Sequence, residues 1–144
     1  MTAFKREQVL NALLDRLKAL EHLVVLRNAT LPVKIPDKGL VVLRDGNVGE
    51  PQILLSPVCY VFHHKAEIEV LIQQAEDADN DRRLDLILEH IGKIIMIDPT
   101  LSGLIDHMHA ESPEFIEQPV ESGLTIKGAI VPIVLEYVST SNLT

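Results

Sequence analysis

The stretch from Gln52 to Gln74 constrains this chain most: QILLS, VCYVFHH and AEIEVLIQQ follow one another as a long, nearly continuous β-rich segment. Within it Ile68, Val70 and Ile72 alternate with Glu67, Glu69 and Leu71, which gives one apolar and one mixed face. A sheet covered on one side is expected, with Pro57 marking a bulge, a bend or an edge position.

Two amphipathic helices are available to cover that face. Val9, Leu10, Leu13, Leu14, Leu17, Leu20 and Val24 recur at spacings of three and four, predicting a helix from Lys5 to about Val24. Leu84, Ile87, Leu88, Ile91, Ile94 and Ile95 predict a second, running to about Ile97 and stopped by Asp98-Pro99. An acidic turn, residues 76–81, supplies N-caps and sits at the positive end of that helix.

Between the first helix and the β-rich segment lies LRNATLPVKIPDKGLVVLRDG. Its valines and leucines predict short strands at Leu23–Arg27 and Leu40–Arg44, with Asn28 opening a turn. Pro32 and Pro36 remove backbone donors and push their predecessors to extended conformations, so an extended, exposed loop is expected there. Asp45-Gly46 is a tight-turn signal, lengthened by Gly49 and Pro51.

After the second helix, residues 103–109, 114–121 and 124–138 read as strands separated by Ser112-Pro113 and Ser122-Gly123. Pro132 should place the last strand at an edge, bulge it or divide it. The order α-β-β-β-α-β-β argues for an α+β fold: a mainly antiparallel or mixed sheet with both helices packed on one face. At 144 residues the chain suits a single domain, 1–144, with a core of its own.

Charge is uneven. Residues 98–144 carry seven carboxylates against Lys127 alone, a net of −6, whereas Arg27, Lys34, Lys38 and Arg44 face only Asp37 in residues 27–44, a net of +3. That polarity suits head-to-tail protein contacts, with Arg27, Lys34, Lys38, Arg44, Asp45, Glu67 and Glu69 as candidate interface residues. A chain of net charge −8 is a poor binder of duplex DNA, whose affinity comes from neutralised phosphates, so sequence-specific nucleic acid is not expected as a partner. The longest apolar run, Ala129 to Leu135, is far short of the roughly 20 residues that span a bilayer. Glu7, Asp15 and Arg16 interrupt the N-terminal leucines, so no signal peptide is expected, and the lone Cys59 fits a reducing compartment.

A search for chemistry finds little. His107-x-His109 would project two imidazoles to one side of a strand, and His63 or His64 could complete a metal site if the two strands were neighbours. This supports, as an alternative, a small metal-binding enzyme or ligand-binding α+β domain using His63, His64, His107 and His109; yet no Cys accompanies them and no HExxH spacing exists. Cys59, between Val58 and Tyr60, reads as a buried inert thiol. The serines lie in turn sequences, and the glycines form neither GxxxxGK[ST] nor GxGxxG. Five phenylalanines and tyrosines in all offer no platform for stacked bases. No enzyme activity, catalytic residue or cofactor is expected.

Taken in order, the leading helix, RN…LP…IP…GLVVLRDG, the GEP turn, SP, the AEIEV strand, a second helix reaching DPTLSGL, and IKGAIVP resemble the tail-terminator (tail-completion) proteins of long-tailed bacteriophages and prophages. The resemblance implies a structural minor tail protein, found in the virion tail after assembly in the host cytoplasm. It implies a small α+β subunit that forms a ring, in the assembled tail a hexamer, at the head-proximal end of the tail tube. There it would stop tube polymerisation, offer a surface to the head-tail connector and surround a channel for DNA. Its partners would be further copies of itself, the tail-tube protein and the connector, with no membrane involved. Another head-tail joining role, or that of a tail-tube subunit, is the related alternative.

Overall fold

Two long central strands set the architecture. The computed structural model describes residues 4–21, 23–30, 35–36, 39–74, 80–119 and 125–144. In chain order these form α1 (Lys5–Leu17), β1 (Val24–Arg27), β2 (Leu40–Asn47), β3 (Gln52–Leu54), β4 (Cys59–Gln74), α2 (Asn80–Ile97), β5 (His107–Ala110), β6 (Glu114–Pro119) and β7 (Thr125–Ser139). β4 and β7 pair antiparallel in unbroken register from Tyr60↔Ser139 to Gln74↔Thr125. Each carries two short strands in tandem on its outer flank: β2 and β3 on β4, β5 and β6 on β7. β1 extends the sheet beyond β2 and is parallel to it. The sheet is therefore mixed, and the fold is the expected α+β, with the Gln52–Gln74 segment divided in two and three strands after α2.

Alternation along the strands decides which face the helices cover. Phe62, Ala66, Ile68, Val70 and Ile72 of β4 stand opposite Tyr137, Ile133, Val131, Ala129 and Lys127 of β7, and all but the lysine are buried on one face. Val9, Leu10, Leu13 and Leu17 of α1, and Leu84, Ile87, Ile91 and Ile95 of α2, pack onto that face as one core. On the opposite face the buried cluster is small and lies at one end, where Leu40, Val42 and Leu71 are closed over by Ile35. Ile35 thus departs from the expected exposed loop: it is a buried plug whose N–H reaches Gln73 Oε1. The rest of the expected loop, residues 31–34 and 37–38, lies outside the described residues, as do residues 76–79 of the acidic turn.

Three local expectations differ from the structure. α1 stops at Leu17 rather than near Val24, because Ala19 and Leu20 donate to the carbonyls of Arg16 and Leu17, tightening the last turn. Leu20 stays in the core while the chain turns to lay β1 beside β2. Pro132 neither divides β7 nor bulges it. Its carbonyl accepts from the Glu111 N–H, and a strand residue's N and O point to the same neighbour. The missing donor therefore faces the gap between β5 and β6, and the β4 pairing is untouched.

Asp45-Gly46 is not the end of a strand but a bulge inside β2, where the register against β4 shifts between Arg44 and Asn47. Gly46 has φ +67, and a Cβ there would lie 2.1 Å from the Lys65 carbonyl oxygen. Gly49 has a similar φ of +73 with open space around it. Gly46→Ala should therefore cost about 2 kcal/mol or more, against about 1 kcal/mol for Gly49→Ala, which carries only the backbone strain. Urea unfolding of the two variants measures the difference; equal losses would refute the close-approach explanation.

Candidate interaction surface

The chain from Pro51 to Phe62 contains no charged residue, and residues 52–58 are all exposed. β3 and the start of β4 form a hairpin, Gln52↔Val61 to Leu54↔Cys59, whose loop holds the cis peptide Ser56–Pro57 with Ser56 at φ 67. Ile53, Leu54, Leu55 and Val58 project from it, Leu55 with 75% of its surface in water. Scattered surface leucines are ordinary, whereas four exposed apolar side chains in one short charge-free hairpin make a candidate contact element. Cys59 is half-buried at the hairpin base, not in the core, because strand alternation turns it to the face away from the helices while Tyr60 beside it packs against the core.

The residues chosen for their charge lie elsewhere, and the structure pairs most of them with one another. Arg27, on β1, forks twice: Nη1 and Nη2 donate to the Glu7 carboxylate of α1 at 2.9 and 2.7 Å, and Nε and Nη2 donate to the Asp45 carboxylate of β2 at 2.9 and 3.0 Å. Arg44 donates through Nε to Glu69 on β4 at 2.9 Å, and Glu67 is the residue directly across from Arg44. Lys34 and Lys38 lie outside the described residues. Arg27, Arg44, Asp45 and Glu69 therefore neutralise one another within the chain and brace the sheet. The acidic C-terminal third is likewise partly answered at home, by Arg16 to Asp98 and Lys65 to Glu111.

Asp45 is the hub of a larger network. Its N–H donates to Asn28 Oδ1, which Asn28 presents from the left-handed conformation, φ 52, that ends β1. Its carbonyl accepts from His64 Nε2, a geometry the Gly46 bulge creates. A carbonyl only accepts, so His64 carries its proton on Nε2 and its Nδ1 accepts from the Tyr137 hydroxyl at 2.9 Å. Both side chains are buried beneath the helices. Burial lowers the His64 pKa against the opposing pull of the Asp45 carbonyl, and burial pushes the Tyr137 hydroxyl up to about 12. The Arg27 hydrogen bond holds Glu7 below the usual carboxylate range. Burial, the largest single influence, would raise Asp45, but the Arg27 guanidinium and a hydrogen bond from Asn28 together outweigh it and the net shift is down.

The four histidines of the alternative reading are dispersed. His64 faces the core, while His63, His107 and His109 lie on the opposite face, where β7 separates β4 from β5. His63 Nε2 stands 3.8 Å from Glu136 Oε2, and the rings of His107 and His109 stack at 5.9 Å. Among the described residues, no group of three His, Cys, Asp or Glu side chains has a geometry that could hold a metal ion. No helix of the described residues is long and apolar enough to cross a membrane.

No protein-family model matches the chain. No curated protein matches it either. Among solved structures, a chain from the virion of a native gene transfer agent particle aligns over 91% of both chains, at 14% identity and a TM-score of 0.27. A superposition that loose supports no inference about fold or function.

Two outcomes follow from the network. Arg27→Ala leaves two carboxylates facing each other and should cost about 2 kcal/mol in urea unfolding, the scale of lost hydrogen bonds to charged groups where the partners remain partly wet. Arg27→Lys should recover less than half, because an ammonium cannot fork to both carboxylates; full rescue would contradict the bidentate role. His64 is neutral in the fold with a depressed pKa, so its contribution is complete above its unfolded pKa of about 6.5 and is lost as pH falls below it. Glu7 and Asp45 add a second loss below about pH 4, and Tyr137 a third above about pH 10. Unfolding free energy measured from pH 8 to 5 should fall below pH 6.5 in the native chain. In His64→Gln the curve should be flat there, and an unchanged slope would exclude His64 as its source.

Proposed function

We propose that this chain is a non-enzymatic assembly protein of a phage-type virion: a tail terminator that closes as a ring on the end of the tail tube, stops its growth and presents a surface to the head connector. The observation that carries this reading is the exposed, charge-free hairpin at Gln52–Val58, a protein-contact element on a braced sheet with no reactive constellation around it. The order of motifs along the sequence supports the same reading. Those motifs are also neighbours in space: RN and RDG meet in the Arg27 network, and AEIEV pairs with IKGAIVP from Glu67↔Pro132 to Val70↔Ala129. A ring needs two different surfaces on each subunit, and its closure ends growth without a sticky edge. Hexameric stoichiometry and a central channel for DNA belong to this proposal.

Electron microscopy of the co-encoded tail-tube protein, polymerised with and without the chain, tests it. Addition of the chain should give shorter tubes with a closed ring at one end. Unchanged tube lengths with bare ends would overturn the terminator role, and tubes built from the chain itself would make it a tube subunit.

A further inference from the structure

We propose that His107 and His109 form a two-histidine chelate for a divalent transition-metal ion, Cu²⁺, Ni²⁺ or Zn²⁺, on the sheet face turned away from the helices. On a strand, residues two apart project to the same side, so β5 presents both imidazoles together while Met108 between them is buried in the core. Both histidines are exposed, and their rings stand 5.9 Å apart with 29° between their planes. An ion about 2 Å from one nitrogen of each ring holds the two centroids roughly 5 Å apart, so closing the chelate asks for a side-chain shift of about 1 Å. The backbone need not move. His107 is already paired with Glu136, and His109 with Val134, in the ladder to β7.

The charge around the pair favours a cation. Glu136 lies directly across from His107 on the same face, and its 3.8 Å contact with His63 Nε2 is longer than a hydrogen bond. Lys65, which faces His109 across Val134, is answered by Glu111 at 2.9 Å. With Asp106 next in the chain, the pair is flanked by three carboxylates and one ammonium. Imidazole nitrogen is a ligand of Cu²⁺, Ni²⁺ and Zn²⁺, whereas Mg²⁺ and Ca²⁺ take oxygen. Two rings make half of a tetrahedral shell, and water completes it, so binding is weaker than at a closed structural site. What separates the pair from ordinary surface histidines is that the second ring meets an ion the first already holds beside it. His63 has no such advantage, because β7 keeps it about 10 Å from His107.

Titration of the full chain with Zn²⁺ at neutral pH, followed through the histidine ring protons by NMR, tests the site. The His107 and His109 resonances should move together along one saturable curve at one ion per chain, and Mg²⁺ should leave them in place. His107→Gln and His109→Gln should each weaken zinc binding about tenfold or more, since either loss destroys the chelate. His63→Gln should stay within about twofold of wild type, and Glu136→Gln should weaken binding by less than either chelate variant, because it removes only a neighbouring charge. All three histidines are exposed, so unchanged thermal unfolding of each variant confirms that the fold is kept. Saturable zinc binding that survives His107→Gln or His109→Gln undiminished would overturn the proposal. So would two rings that shift along separate curves, a loss with His63→Gln as large as with either chelate variant, or resonances that zinc leaves unmoved.

Discussion

Arg27 is the residue on which the arrangement turns. It is the cation between two carboxylates from different elements, Glu7 on α1 and Asp45 on β2, and its planar fork meets both in bidentate geometry. Without it those carboxylates would repel each other, and α1 would lose its polar tie to the sheet edge. With it, Asp45 is held at every polar group: carboxylate to Arg27, N–H to Asn28, carbonyl to His64. The bulge at Gly46 is what aims that carbonyl at β4, and His64 carries the chain of hydrogen bonds on to Tyr137 in β7. Four strands and a helix are thereby fixed relative to one another by one continuous polar path set against a dry core.

That frame explains why an apolar hairpin can stand in water. β2 pairs with β4 only from Lys65 to Leu71, so the first residues of β4 run beyond it and are held instead by β3 on one side and by the end of β7 on the other. The tip is thus the projecting end of the central strand rather than a loose loop. Ordering cost is borne by the sheet, which leaves the exposed side chains available for a partner at little further entropic loss.

Much of the fold was legible because periodicity reports burial. Phe62, Ala66, Ile68, Val70 and Ile72 mark one face of β4 at even positions, and α2 ends at Ile97 before Asp98-Pro99 as its pattern predicts. His64 too was readable, since it falls in step with Phe62, Ala66 and Ile68 on the covered face. What escaped was decided by tertiary partners. Asp45-Gly46 has turn chemistry, but the Lys65 carbonyl and the His64 ring turn it into a bulge. Pro132 is harmless because its missing donor meets a gap between two strands that no local pattern locates. Charge was the least informative signal about surface: Arg27, Arg44, Asp45 and Glu69 stand out in composition, yet their partners sit 18 to 25 residues away in sequence and across the sheet in space. The hairpin's signal, by contrast, was an absence: no charge from Pro51 to Phe62.

The central claim is that this hairpin is an assembly surface carried by a rigid sheet. Amide hydrogen exchange, compared between the free chain and its assembled form, tests it most directly. Residues 52–58 should gain protection on assembly while the paired amides of β4 and β7 stay as slow as before. Hairpin amides that exchange equally fast in both states, with new protection appearing only at β1 or on the charged face of the sheet, would contradict it.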